Sequence, residues 1–268
     1  YPPGLVSDDV LALRMWRAMC PELQERWPEA FHPEYWGGVT IRNGRVVQLW
    51  LIESDLTGAV PAEIGRFTSL KRLVICGTQL TSLPAEIGQL TALTVLDLSD
   101  NKLTSLPAEI GQLTSLQRLN LRRNQLTSMP TEIGQLTALT ELILRDNKLT
   151  SLPAEVGQLT SLRELYLYNN KLTSLPVEIG QLTSLKELYL RGNRLTSLPA
   201  EIGRLTSLEM LHLQGNQLTS LPAEIGQLAS LQVLNLFGNQ LTTLPAVIRE
   251  LRAAGCYVHL DDGVTFDE

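Results

Sequence analysis

An α/β solenoid is the fold this sequence predicts: a right-handed, curved superhelix with a parallel β-sheet on its concave face and short helical or 3-10 turns on its convex face. Three observations predict it. Leu70, Leu93, Leu116, Leu139, Leu162, Leu185, Leu208 and Leu231 stand 23 positions apart, and Val46 opens a first copy one residue longer, so nine copies fill 46–254. A period of this size marks stacked coils, because one such unit cannot bury its apolar face alone. Within each copy the spacing is fixed, as in Leu93-Thr-Val-Leu96-Asp-Leu98, a short strand that runs into a turn at Asn101. Beyond the turn, Leu106-Pro107-Ala108-Glu109-Ile110-Gly111 recurs almost unchanged.

Residues 1–45 read as a cover for the first coil, whose leucines would otherwise face water. Ser7-Asp8-Asp9 supplies an N-cap and an acidic first turn, and Val10, Leu11, Leu13, Met15, Trp16 and Met19 form a helical stripe that Pro21 ends. A second short helix holds Leu23 and Trp27. Val39-Thr40-Ile41-Arg42-Asn43-Gly44-Arg45-Val46-Val47 reads as a hairpin that feeds the first repeat strand, since Asn-Gly suits a type I′ turn.

In the repeats, Asn101, Asn124, Asn147, Asn170, Asn193, Asn216 and Asn239 form one column, where an amide both donates to and accepts from backbone groups that a turn leaves unpaired. Ser54 and Thr78 hold that place in the first two copies. The recurring Pro is placed where a short helix begins, Glu in its first turn and Gly where it stops. Glu63, Glu86, Glu109, Glu132, Glu155, Glu178, Glu201 and Glu224 form an acidic row explained by that helix-start position. Toward the carboxyl end the pattern decays: Val247 and Arg249 replace the Glu and Gly, residues 255–260 read as a closing strand, and Asp261-Asp262-Gly263 begins a solvated acidic tail.

Composition narrows the function. A net charge of −6 argues against nucleic-acid binding, which needs a clustered basic surface. No stretch has the apolar length of a membrane span, so no membrane insertion is expected. Three distant cysteines, Cys20, Cys76 and Cys256, do not suggest a disulfide framework and fit a cytoplasmic location. The chain starts at Tyr1 without Met, which is compatible with a removed targeting segment. His32, His212 and His259 are scattered, and no Gly-x-Ser-x-Gly, His-Glu-x-x-His or phosphate-loop motif occurs, so neither catalysis nor a metal or cofactor is expected.

The strand-and-turn pattern Leu-x-x-Leu-x-Leu-x-x-Asn resembles the leucine-rich repeat superfamily over about four fifths of the chain. From the second copy onward, Leu-Pro-x-x-Ile-Gly-x-Leu is similar to the intracellular Ras-associated group and its plant relatives, which implies a scaffold or signalling role. Tyr35-Trp36-Gly37-Gly38-Val39 and Leu56-Thr57-Gly58-Ala59-Val60-Pro61 resemble the amino-terminal cap and first repeat of plant-type members, without the usual cysteine pair.

Function is then sought in what varies. Side chains alternate between the faces of a strand, so two columns point out of the sheet. One runs Trp50, Val74, Asp97, Asn120, Ile143, Tyr166, Tyr189, His212, Asn235, and the other Ile52, Cys76, Ser99, Arg122, Arg145, Tyr168, Arg191, Gln214, Phe237. Tyr and Arg are common anchors of protein interfaces. Arg122, Arg145, Tyr166, Tyr168, Tyr189 and Arg191, extended by Met210, His212 and Phe237, are therefore the expected partner-binding residues of a monomeric, non-catalytic protein-binding scaffold. Glu141, Glu164 and Glu187 are placed to pair with the arginines, and His259 is assigned to the cap. Two alternatives remain: the recognition domain of a larger signalling protein, and an ordered-water or ice-binding solenoid using the column Thr57, Thr81, Thr104, Thr127, Thr150, Thr173, Thr196, Thr219 and Thr242.

Overall fold

The computed structural model describes residues 7–52 and 58–267, so Ser54 and Thr57 lie outside the described residues, as does the side chain of Ser7. The chain divides into two compact units, Tyr1–Gln125 and Leu126–Glu268.

The first unit begins with helix α1 (Ser7–Met19) and the short α2 (Leu23–Arg26), followed by the hairpin β1 (Val39–Arg42) and β2 (Arg45–Ile52). Asn43 and Gly44 take φ of 49° and 71°, the left-handed pair that the Asn-Gly turn requires. Then come β3 (Gly58–Ala59), β4 (Arg72–Cys76), β5 (Leu80–Ser82), β6 (Val95–Asp97) and β7 (Arg118–Asn120). β1 pairs antiparallel with β2, and β2, β4, β6 and β7 follow in parallel register. Trp16, Trp27, Trp36 and Phe67 are buried together beneath the cap, with Trp27 and Trp36 stacked at 5.2 Å and Trp16 stacked on Phe67 at 6.3 Å.

One expectation for the cap helix needs correcting. Leu11 and Met19 are exposed rather than part of the buried stripe, which consists of Val10, Ala12, Leu13 and Trp16. Asp8 and Asp9 do stand in the first turn, and Asp9 is in addition fully buried; its Oδ2 accepts the Val46 N–H at 2.7 Å and its Oδ1 lies 3.2 Å from Arg45. The carboxylate thus fastens the cap to the strand it covers. Desolvation pushes its pKa up, against the lowering effect of that hydrogen bond and of Arg45.

The second unit contains β8 (Glu141–Ile143), β9 (Glu164–Tyr166), β10 (Glu187–Tyr189), β11 (Met210–His212), β12 (Val233–Asn235), β13 (Thr243–Leu244), helix α3 (Val247–Ala253), β14 (Tyr257–His259) and β15 (Thr265–Phe266). β8 to β12 and then β14 form a parallel sheet in which each residue faces its counterpart one coil away, as Leu165 faces Leu142 and Leu188. The strand leucines on the inner side, among them Leu165, Leu188, Leu211 and Leu234, are fully buried.

The asparagine column forms a ladder. Asn193 Nδ2 donates to Leu167 O one coil back at 3.0 Å and to Leu190 O in its own coil at 2.9 Å, while its Oδ1 accepts the Leu172 N–H at 3.0 Å. Asn101 repeats the arrangement in the first unit, and there the substitute Thr78 donates its hydroxyl to Asn101 Oδ1 at 2.6 Å. The left-handed residue of each turn is the one before the asparagine, from Gly77 through Asp100, Arg123, Asp146, Asn169, Gly192 and Gly215 to Gly238.

Opposite the strands, the coils before the last carry a 3-10 helix such as Val177–Gln181, with extended Pro176 preceding it and Leu182 closing it, and the last coil carries α3 there instead. The glycine is therefore inside the helix and does not stop it. Its role is close approach: a Cβ on Gly180 would lie 2.5 Å from Glu201 O of the next coil.

The end of the chain also departs from expectation. Instead of a solvated tail, β15 pairs with β13, Phe266 lies under Arg249 and Arg252 at 5.3 Å each, and Asp261 Oδ2 accepts the Gly238 N–H at 2.8 Å. The equivalent Gly215 N–H donates to Phe237 O one coil on, and for Gly238 in the last turn Asp261 supplies that acceptor.

Candidate functional site

In the second unit the outward columns of β8 to β14 form rows. Ile143, Tyr166, Tyr189, His212, Asn235 and His259 are register neighbours in succession, and Glu141, Glu164, Glu187, Met210, Val233 and Tyr257 make a parallel row two residues earlier. Because every strand has the same length and register, identical positions fall one above another, and rings at those positions stack. Tyr166 and Tyr189 lie face to face at 4.8 Å with planes 5° apart, and Tyr189 and His212 continue the stack at 4.8 Å and 15°. Stacks of this kind hold rings in a fixed orientation.

The hydroxyls are fixed as well. Tyr166 donates to Glu164 Oε2 at 2.8 Å and Tyr189 to Glu187 Oε2 at 2.9 Å, with Met210 Sδ 3.8 Å from the Tyr189 hydroxyl. Glu164 and Glu187 thus accept from tyrosines of their own strands rather than pairing with arginines. An i, i+2 pair on one strand sits on one face at short range, whereas the arginines lie four residues along. Burial, reinforced by the carboxylate acceptors, raises both phenols, Tyr189 to about 12. His212 is pushed below the ordinary histidine value by burial, against the opposing pull of Gln214 and Glu187.

The arginines form the other border. Arg145 stacks its guanidinium over the Tyr168 ring at 5.2 Å and lies 3.0 Å from Asp146. Arg191 is exposed and makes no ion pair or side-chain hydrogen bond among the described residues. Phe237 is 50% exposed and stacks on His259 at 5.2 Å. His259, assigned from sequence to the cap, therefore also faces outward with Tyr257. The signal was present: the alternation in 257–260 places His259 in the column of Asn235 and Tyr257 in the row of Val233. Ile143, in contrast, is buried. Arg122 belongs to the first unit, where it lies 3.6 Å from Asp100.

The surface therefore has three strips: carboxylates that fix the tyrosine hydroxyls, a stacked aromatic floor, and a border containing Arg145 and the uncommitted Arg191. Among the described residues no group of three or more His, Cys, Asp or Glu is placed to hold a metal ion, and no helix is long and apolar enough to cross a membrane. The described threonines of the other column, Thr81 through Thr242, are all exposed.

Family models match most of the repeat region. Residues 42–166 match a leucine-rich repeat region, 160–201 a two-copy leucine-rich repeat model and 183–241 a further leucine-rich repeat model. The chain belongs to the leucine-rich repeat proteins. A solved leucine-rich repeat protein of Leptospira interrogans is 40% identical, with a TM-score of 0.70 over 80% of this chain and 59% of its own. The plant peptide hormone receptor RGFR1, solved in complex with RGF2, is 33% identical with a TM-score of 0.71, over 80% of this chain and 35% of its own. A plant ice-binding protein is 25% identical with a TM-score of 0.65 over 98% of both chains. No curated protein matches. This repeat protein spans 59% of the Leptospira protein and 35% of the receptor.

Proposed function

We propose that this leucine-rich repeat protein is a non-catalytic interaction module that binds a protein or peptide partner on the sheet face of its second unit. The observation that carries the reading is the stack Tyr166–Tyr189–His212, at 4.8 Å intervals and bordered by Arg191. Outward rings and guanidinium groups held in one orientation lose little conformational entropy on binding, and such residues dominate interface energetics. RGFR1 was solved with a bound peptide hormone, so a related scaffold does recognise peptides. The module fits a recognition domain within a larger signalling protein as readily as a separate scaffold.

Replacing Tyr166, Tyr168, Tyr189 and Arg191 together with Ala is expected to abolish partner capture, read by affinity capture from native lysate followed by a binding titration of the recovered partner. The variant should unfold close to the wild-type midpoint, since none of the four side chains enters the leucine core. Undiminished capture would refute the assignment.

A second reading is favoured by the exposed threonine column and the full-length likeness to a plant ice-binding protein. In it, the hydroxyl-and-methyl row orders water. Ice-recrystallisation assays decide between the two, because the quadruple sheet-face variant should leave any such activity untouched.

A further inference from the structure

The first unit carries a cationic cleft that the sheet-face reading does not use. It has a volume of about 410 Å³ and opens beside the β1–β2 hairpin at the entry to β4, lined by Arg42, Asn43, Arg45, Gln48, Ser69 and Lys71. Every ionisable group on its wall is basic, and no carboxylate or aromatic ring lines it. In a chain of net charge −6, three cations turned to one space are a local reversal of the prevailing field.

Only one of the three is answered. Arg45 donates to Thr68 Oγ1 at 2.7 Å and lies 3.2 Å from the buried Asp9. Arg42 and Lys71 are exposed and make no side-chain hydrogen bond or ion pair among the described residues. Their positions are nevertheless set by backbone geometry. Arg42 faces Arg45 across the tight Asn43-Gly44 turn, and the Lys71 N–H donates to Val47 O at 2.9 Å. Two cations without a partner among the described residues thus stand at a hairpin and a strand entry, and the amides of Asn43 and Gln48 and the hydroxyl of Ser69 line the same cleft.

We propose that this cleft binds a tetrahedral oxyanion of the phosphate class, free or as the terminal group of a monoester. The match is one of charge and donor number. A dianion with three or four acceptor oxygens can engage both free cations and the neutral donors at once, whereas a carboxylate offers one charge and two oxygens. With no aromatic ring on the wall, nothing there stacks a nucleobase. The cleft admits the anion and the first atoms of an alcohol that carries it, so an esterified ligand also fits.

The test is calorimetric titration of the full chain with inorganic phosphate and, separately, with O-phosphoserine, at constant ionic strength set by chloride. Saturable one-to-one binding is expected for the wild type. Each of Arg42→Gln and Lys71→Gln should weaken it by about tenfold, one charge-assisted contact each, and the double variant should abolish it. Arg42→Lys with Lys71→Arg keeps both charges and should retain binding. Tighter binding of O-phosphoserine assigns the cleft to a monoester, and equal or weaker binding assigns it to the free ion. No saturable binding to the wild type at 10 mM of either probe (about 3 kcal/mol of affinity), or equal binding by the double variant, overturns the proposal.

Discussion

Arg123 holds φ 51° in a turn column that is otherwise glycine, aspartate or asparagine. For a residue with a Cβ the left-handed region costs roughly 1–2 kcal/mol, and Asp and Asn offset this with local hydrogen bonds that Arg lacks. Its one visible compensation is a contact of 3.3 Å with Asp100 at the surface, worth little in water. Arg123→Gly should therefore stabilise the protein by about 0.5–1 kcal/mol after the entropic cost of glycine, and a lower melting temperature for the variant would contradict the strain argument. His212 gives a prediction in pH. Its folded-state pKa lies below the unfolded value, so the unfolded chain takes up the proton more readily. Stability should fall as pH drops through the ordinary histidine range, and the penalty should be absent at pH 8. Melting curves of wild type and His212→Gln between pH 8 and pH 5 should converge at the alkaline end and separate at the acid end. Residue chemistry explains which roles were readable. An asparagine repeated at a turn advertises its amide, but burial of Asp9 depends on the cap folding back over β2, which no local pattern around residue 9 encodes.

At the scale of the element, the strands were readable because leucine spacing states which side is inside, and one side fixes the other. That rule placed Tyr166, Tyr189, His212 and Phe237 outward. It did not reveal that the glutamates would engage the tyrosines, because that depends on rotamers two residues apart on one strand rather than on periodicity. The 3-10 segments were legible as short turns, yet the role of their glycine was misread. In a single coil it looks like a terminator; the contact that requires it lies in the next coil. Gly180→Ala is the direct check. Its Cβ would meet Glu201 O at 2.5 Å and Glu201 Cβ at 2.8 Å, so the two coils must part. A loss of about 1–3 kcal/mol is expected from such overpacking, measured as a lower urea midpoint; an unchanged midpoint would show that the coils yield freely.

For the molecule as a whole, periodicity made the solenoid evident and left the ends obscure. Nine matched copies repeat their meaning, whereas each cover is written once. The C-terminal cover illustrates this: residues 261–268 carry little hydrophobic pattern, and only the pairing of β15 with β13 and the acceptance of the Gly238 N–H by Asp261 reveal their function. The identity of a partner is not legible for a different reason. Recognition depends on the other surface, and a fixed row of rings and cations states the kind of contact without naming what makes it.

The asparagine ladder carries one more implication, for how such a molecule changes size. Each amide joins its own coil to the one before, so growth or loss is permitted only in whole rungs. Excising residues 172–194, one full period, rejoins Lys171 to Leu195, leaves Asn170 accepting the Leu149 N–H and leaves the Leu195 N–H its acceptor on Asn216. Excising 22 residues instead shifts every later amide off its acceptor and turns leucines toward water. The first shortened chain should unfold in one cooperative transition by circular dichroism and the second should not, which makes length in this architecture a counted quantity rather than a continuous one.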